Sequence, residues 1–274
     1  MIKYQYKLLI VTILCCISSL SFAEISDKSL NKILDLSGLT AQIEQFPDLI
    51  KVGMETAKQQ GNPISDAKYN AIKTSVNESV LPSEILEYIR QSLKKSISEQ
   101  EAQQLLLWYE SDLGKEITNA EEKASTAESY QHMMQSAESL LAKSQHVKFA
   151  NRLDELLGTT DMAMTLQNHT SIAVYSAVVM AIQPDTPLNI EPFKAQIDAA
   201  SSQTRAALEQ IVVLSFVYSY QEIALDKLNK YETFLNKPAA MKFSSIAIAS
   251  MNRGLETSLS KWAEALAVIL TSKH

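Results

Sequence analysis

The sequence predicts an all-α protein, a helical bundle or array built from two tandem, weakly similar helical repeats. Only 6 Gly and 7 Pro punctuate 274 residues, and Ala, Leu, Ser, Glu, Gln and Lys dominate, which favours long helices. No Asn-Gly or Asp-Gly pair separates alternating apolar runs, so β-hairpins have no positive signal. Blocks of sequence also recur in the same order at nearly one offset, the mark of a duplicated unit.

The first element is a leader. Met1–Ala23 has Lys3 and Lys7 without an acid, an apolar run from Leu8 to Ile17, and small residues at Ser21 and Ala23. This pattern predicts a signal peptide cleaved after Ala23, because the apolar run is too short to span a bilayer. The expected destination is the periplasm, or the medium by secretion. Cys15 and Cys16 both lie inside the leader, and neither follows the small residue a lipoprotein site needs. The mature chain of 251 residues is therefore free of cysteine and held by its core alone, which is feasible for chains that bury roughly three quarters of their unfolded surface. The formal charge is −6, and loss of Lys3 and Lys7 takes it to −8. Such acidity opposes binding to nucleic acid or to anionic lipid, both of which draw on Lys and Arg contacts.

Helix signals follow in order. Ser83, after Pro82, opens Glu84–Leu93, with Ile85, Leu86, Ile89 and Leu93 on one face. Ser98 and Glu101 have capping-box spacing ahead of a helix to Tyr109. From Ser111, the residues Leu113, Ile117, Ala120, Ala124, Ala127, Tyr130, Met134, Ala137 and Leu140 fall in one stripe, which predicts a single helix of about 30 residues and about 45 Å. Glu121 and Glu122 are assigned to its solvated opposite face.

The repeat rests on an offset of 126, which sets Trp108–Lys115 on Phe234–Met241 and Ala137–Leu140 on Ala263–Leu266. An offset of 123 sets Leu30, Ile33, Leu34, Leu39 and Ile43 on Leu153, Leu156, Leu157, Met162 and Leu166. The expected units are 24–148 and 149–274. At the recurring joint a helix ends in aromatic side chains, the chain turns, and a new helix starts. Ser111 can cap the new helix in the first copy, Pro238 suits the first turn of the second, and Gly114 and Ala240 are small enough for close approach. Trp108, Tyr109, Ser111, Gly114, Lys115, Phe234, Pro238 and Ala240 are accordingly read as a structural hairpin motif.

The run Trp108-Tyr109-Glu110-Ser111-Asp112-Leu113-Gly114-Lys115 resembles the aromatic-aromatic-x-Ser/Thr-Pro-x-Gly-Lys/Arg signature of domain-of-unknown-function family 2059. Asp112 departs where Pro is common, and the second copy keeps only the leading aromatic and the Pro. The resemblance implies a secreted or periplasmic bacterial helical protein and supplies no catalytic residue.

Chemistry has little signal. The mature chain has no Gly-x-Ser-x-Gly elbow and no Gly-rich phosphate loop, and its imidazoles are His132, His146, His169 and His274. The expectation is a non-catalytic binding or scaffolding module of the cell envelope, without cofactor or resident metal, whose partner is an envelope protein or an apolar ligand. Two alternatives stay open: a hydrolase with an unrecognised site, and copper handling through His132, Met133, Met134, Met162, Met164, His169 and Met180, whose thioether and imidazole groups suit that metal. Ile172–Ile182 and Ile211–Tyr220 are apolar nearly all round. Taken alone they read equally as buried strands, but their aligned first-unit segments, Leu49–Ala57 and Glu87–Lys95, are amphipathic and favour helix. They are expected either to pack centrally or to line an apolar groove through Ile172, Val174, Val178, Ile211, Leu214 and Phe216.

Overall fold

A computed structural model describes residues 24–59, 65–182 and 188–272. The expected signal peptide, 1–23, lies outside them. Among the described residues there are fourteen helices: α1 (Asp27–Leu36), α2 (Leu39–Glu44), α3 (Phe46–Gln59), α4 (Asp66–Ser79), α5 (Pro82–Ser96), α6 (Glu99–Tyr109), α7 (Asp112–Ala124), α8 (Ala127–Gln135), α9 (Ala137–Leu141), α10 (Ser144–Leu157), α11 (Thr159–Ile182), α12 (Glu191–Tyr220), α13 (Leu225–Leu235) and α14 (Pro238–Thr271). No strand occurs among these residues; the one β-type contact is an antiparallel bridge from Glu24 to Ser98. None of the described helices is long and apolar enough to cross a membrane. The fold is all-α, and both apolar runs of the second half are helical, within α11 and α12.

Local chemistry explains most boundaries. Ser26, Ser65, Ser98, Ser111 and Thr126 each accept from a backbone N–H in the first turn of the helix that follows, satisfying donors that helix geometry strands. Ser98 and Glu101 close the capping box in both directions. Helix α5 starts at Pro82 with Leu81 at the cap position, so Ser83 lies inside the helix rather than before it. The expected 30-residue helix from Ser111 is three helices. It stops at Ser125, whose hydroxyl turns back to the Glu121 carbonyl at 2.7 Å. It restarts at Thr126 and breaks again at Ser136. Hydroxyl side chains that compete for backbone partners overrule the continuous apolar stripe. One consequence is that Met133 is buried while Met134, placed in the stripe from its spacing, is exposed.

Packing centres on α14, which runs along α11, α5 and α4 and buries Phe243, Leu255, Leu259, Trp262 and Leu266. The main core is continuous through both halves of the chain, joining Leu30, Ile33, Ile89 and Leu105 to Leu228, Phe234 and Leu259. A smaller core joins Met133, Leu140 and Ala150 to Val213, Leu214 and Val217. The expected division at residue 148 falls inside α10.

The offset of 126 reappears in the helix boundaries: Glu99 and Leu225 start α6 and α13, and Asp112 and Pro238 start α7 and α14. The joints share a backbone bond, since Ser111 and Lys237 donate their N–H groups to the Trp108 and Phe234 carbonyls, both at 2.9 Å, but of the two only Ser111 adds a side-chain cap. Contacts between the halves are reciprocal. Across the halves, α5 packs on α14 as α12 packs on α7, and within them α1 meets α6 as α10 meets α13. Trp108 and Phe234, one offset apart, stack on each other at 4.5 Å. Lys242 binds Glu101 at 2.8 Å, and Lys227 binds Glu116 at 2.6 Å; these four residues exchange places at the same offset, with the charges reversed. At this offset one aromatic residue meets its own counterpart, and two ion pairs meet in exchanged form.

Candidate binding cavity

Beside the stack lies a cavity of about 280 Å³, lined by Ser37 just after α1 and by residues of α2, α6, α7 and α10 to α14. Its wall is mostly apolar, with Leu39, Met162, Phe216, Phe243, Ile248 and Met251, and its polar centre is Glu121. Helix α7 aims this side chain inward because Ile117 and Thr118 are buried one turn earlier, the Thr118 hydroxyl donating to the Leu36 carbonyl at 3.1 Å. Position 121 shares their face by helical spacing. Two tyrosines converge on it. Tyr220, near the end of α12, is wedged edge-on between Phe149 and Tyr231. Tyr231 of α13 also lies parallel to Trp108 at 5.9 Å. Their hydroxyls donate to the same oxygen, Glu121 Oε1, at 2.6 and 2.8 Å.

Glu121 as a residue keeps part of its exposure along the cavity, while its carboxyl group is ringed by protein. Burial pushes the carboxyl above the usual carboxylate range, against the two tyrosine hydrogen bonds that pull it down, and the neighbouring Glu122 charge adds to the rise. Burial, and then the Glu121 charge, raise the Tyr220, Tyr231 and Tyr109 hydroxyls as well, so all three remain protonated. Glu121 Oε2 receives no hydrogen bond among the described residues, and it is not sealed within the protein; it is the polar atom the cavity offers to a ligand. Hydroxyls and an amide from Ser37, Gln42, Ser125, Thr159, Ser215, Ser219 and Ser244 complete the lining, and a largely apolar pocket with a few polar groups and one carboxyl of shifted pKa is the usual form of a small-molecule site.

A larger concavity, about 670 Å³, is an open cleft lined by Asp112, Lys115, Glu116, Lys123 and Glu222, and a second cleft of about 520 Å³ contains the Glu101–Lys242 pair. Hydrated charges of both signs, several already paired, give these clefts little to hold a ligand with. Size ranks them first, but the chemistry favours the smaller cavity.

The hairpin motif does what a joint must do. Ser111 Oγ accepts from the Gly114 N–H at 3.0 Å and donates to the Trp108 carbonyl at 2.6 Å. A Cβ on Gly114 would lie 2.1 Å from that carbonyl oxygen, so only glycine fits. Tyr109 packs edge-on against Phe234 and Phe243 and lines the cavity, Pro238 begins α14, Ala240 is buried, and Lys115 is exposed at the open cleft. The six groove candidates are divided. Leu214 enters the smaller core, Phe216 faces the cavity, Ile172 is half-buried, and Val174, Val178 and Ile211 retain outward-facing surface. Among the metal candidates, Met162 lines the cavity, Met164 is buried in α11 and His132 is exposed on α8. No group of three or more His, Cys, Asp or Glu among the described residues is arranged to hold a metal ion.

Sequence reasoning missed Glu121, Tyr220 and Tyr231 as a set. Glu121 was placed with Glu122 on the wet face, and that assignment is corrected here. The available signal was its position four residues after Ile117 and three before Ala124, which puts an acid on the border of the apolar stripe.

No curated protein and no solved structure matches the chain. Residues 83–143, from α5 through the Trp108–Lys115 joint to the end of α9, match the model of the family described as uncharacterized protein conserved in bacteria (DUF2059).

Proposed function

We propose that the mature chain is an exported, non-catalytic binding module of the bacterial cell envelope, and that its ligand seat is the cavity around Glu121. One observation carries the reading: a single carboxyl, anchored through one oxygen by two tyrosines, presents its other oxygen to a largely apolar space lined by five aromatic side chains. Leaving a shifted carboxyl there costs stability, a cost that folded proteins carry mainly at functional sites. General acid–base or nucleophilic chemistry would need a second group positioned against the first, and the tyrosines are committed to holding Glu121. The leader at 1–23 and the acidic charge support the envelope as the place of action.

Native mass spectrometry of the protein recovered from its own cell envelope tests this. The expected spectrum shows one small molecule per chain, lost in an Ala247→Leu variant that fills the cavity wall while leaving the helical circular dichroism intact. Retention of the adduct in that variant, or no adduct in either protein, contradicts the reading.

A further inference from the structure

We propose that the occupant of the Glu121 cavity is an organic cation with an apolar body, its ammonium group seated on Glu121 Oε2 against the aromatic wall. This rests on the cavity being a ligand seat and adds the class of ligand. The first support is charge. The cavity lining contains no Lys, Arg or His, and its one ionisable acid is Glu121. The titratable groups facing that acid are Tyr109 from α6, Glu122 from α7, Tyr220 from α12 and Tyr231 from α13. None of these is a cation. A carboxylate enclosed without a counter-ion is unfavourable until one arrives, so the protein supplies one half of an ion pair.

The second support is the wall. Tyr109, Phe216, Tyr220, Tyr231 and Phe243 all line the cavity, and the faces of aromatic rings attract ammonium groups, most strongly when water is excluded. An anionic head group would meet the Glu121 carboxyl with no Lys, Arg or His in the lining to balance it. A neutral ligand can bond to Oε2 or to the lining hydroxyls, but it leaves the Glu121 charge without a counter-ion. The third support is the whole-chain charge of −6, which concentrates cations near the surface.

The proton balance follows. In the empty cavity the raised affinity of Glu121 for its proton keeps the neutral acid to higher pH than at an exposed glutamate; where that acid is protonated, seating the cation sends the proton to solvent and the ammonium replaces it. Affinity for a permanent cation therefore rises with pH until the unliganded carboxyl is fully ionised.

Isothermal titration calorimetry with three probes of equal chain length separates the outcomes: octyltrimethylammonium, 1-octanol and octanoate. The expected result is one-to-one binding of octyltrimethylammonium, at least tenfold tighter than either other probe and tightening between pH 5 and pH 8. Glu121→Gln, which keeps the oxygen that accepts from both tyrosines, should weaken the cation at least tenfold, abolish its pH dependence and leave 1-octanol unchanged. Phe216→Leu should weaken the cation more than the alcohol. If 1-octanol or octanoate binds as tightly as the cation, or wild-type affinity for the cation is flat with pH, the cationic ligand is excluded while the cavity remains a binding site. If none of the three binds, the cavity reading fails with it.

Discussion

Replacing Gly114 by alanine tests the tightest point of the joint between α6 and α7. On helix propensity alone this substitution, in the first turn of α7, stabilises by up to about 1 kcal/mol. The geometry reverses that sign. The new Cβ would sit 2.1 Å from the Trp108 carbonyl oxygen and 3.1 Å from Tyr109 Cα, and both obstacles are backbone, which cannot swing aside. The turn between α6 and α7 must open. Opening it strains the cap from Ser111 Oγ to the Gly114 N–H, worth about 1 kcal/mol, and the 2.6 Å bond from Ser111 to Trp108, worth about 1 kcal/mol more. It also tilts Trp108 off Phe234, where a 4.5 Å parallel stack contributes roughly 1 kcal/mol beyond its burial. After the propensity gain, the expected net loss is about 2 kcal/mol. Urea denaturation followed by tryptophan fluorescence and circular dichroism would read this as a lower midpoint at unchanged slope. The control is Ala240→Gly at the equivalent place in α14, which should cost no more than about 1 kcal/mol through chain entropy. A Gly114→Ala protein as stable as the wild type would refute the argument that close approach dictates glycine at the joint.

Other consequences are briefer. Glu121→Gln should raise stability at pH 8 and leave it nearly unchanged at pH 5: an acid whose folded pKa is raised binds its proton more tightly when folded, so its contribution is present at low pH and is lost as pH rises through the folded value. Thermal melts at the two pH values check the sign, and a variant destabilised at both would count against a strained carboxyl. Glu99 is the opposite case. Hydrogen bonds from the Ser26 N–H and Ser29 hydroxyl hold it down to about 2, so it ties α1 to α6 above the unfolded value near 4.5 and loses that contribution as pH falls toward 2. Glu99→Gln should remove about 1 kcal/mol, after allowance for solvent screening, at pH 6 and much less at pH 2.5. The exchanged pairs Glu101–Lys242 and Glu116–Lys227 are half-exposed, and double-mutant cycles should give couplings below about 1 kcal/mol each, weaker still in high salt.

The parts of this fold legible in the sequence are those set by neighbours along the chain. Ser98 and Glu101 announce a capped helix because both partners sit within one turn, and the residue classes at Trp108–Lys115 and Phe234–Met241 mark two joints whose boundaries recur 126 residues apart. The break at Ser125–Thr126 was harder to see, because a hydroxyl competing for a backbone carbonyl changes one or two bonds without disturbing an apolar stripe that continues through it. The cavity was least visible. Glu121 is in reach of Tyr220 and Tyr231 only because α12 and α13 fold back onto α7, and no local pattern records a meeting of residues 99 and 110 positions apart. The apolar character of α11 and α12 was plain, but whether a given side chain became core, like Leu214, or cavity wall, like Phe216, was decided by tertiary packing.

The central claim is that Glu121, in its cavity, binds a proton more tightly than an exposed glutamate does and gives it up to a cationic ligand. Infrared difference spectroscopy of the carboxylic-acid carbonyl band, taken as wild type minus Glu121→Gln across a pH titration, observes that proton directly. The account predicts a midpoint above the ordinary glutamate range without ligand, moving lower when octyltrimethylammonium is added and staying in place with 1-octanol. A midpoint at or below the ordinary value in the empty protein, or one that the cation does not move, would contradict it.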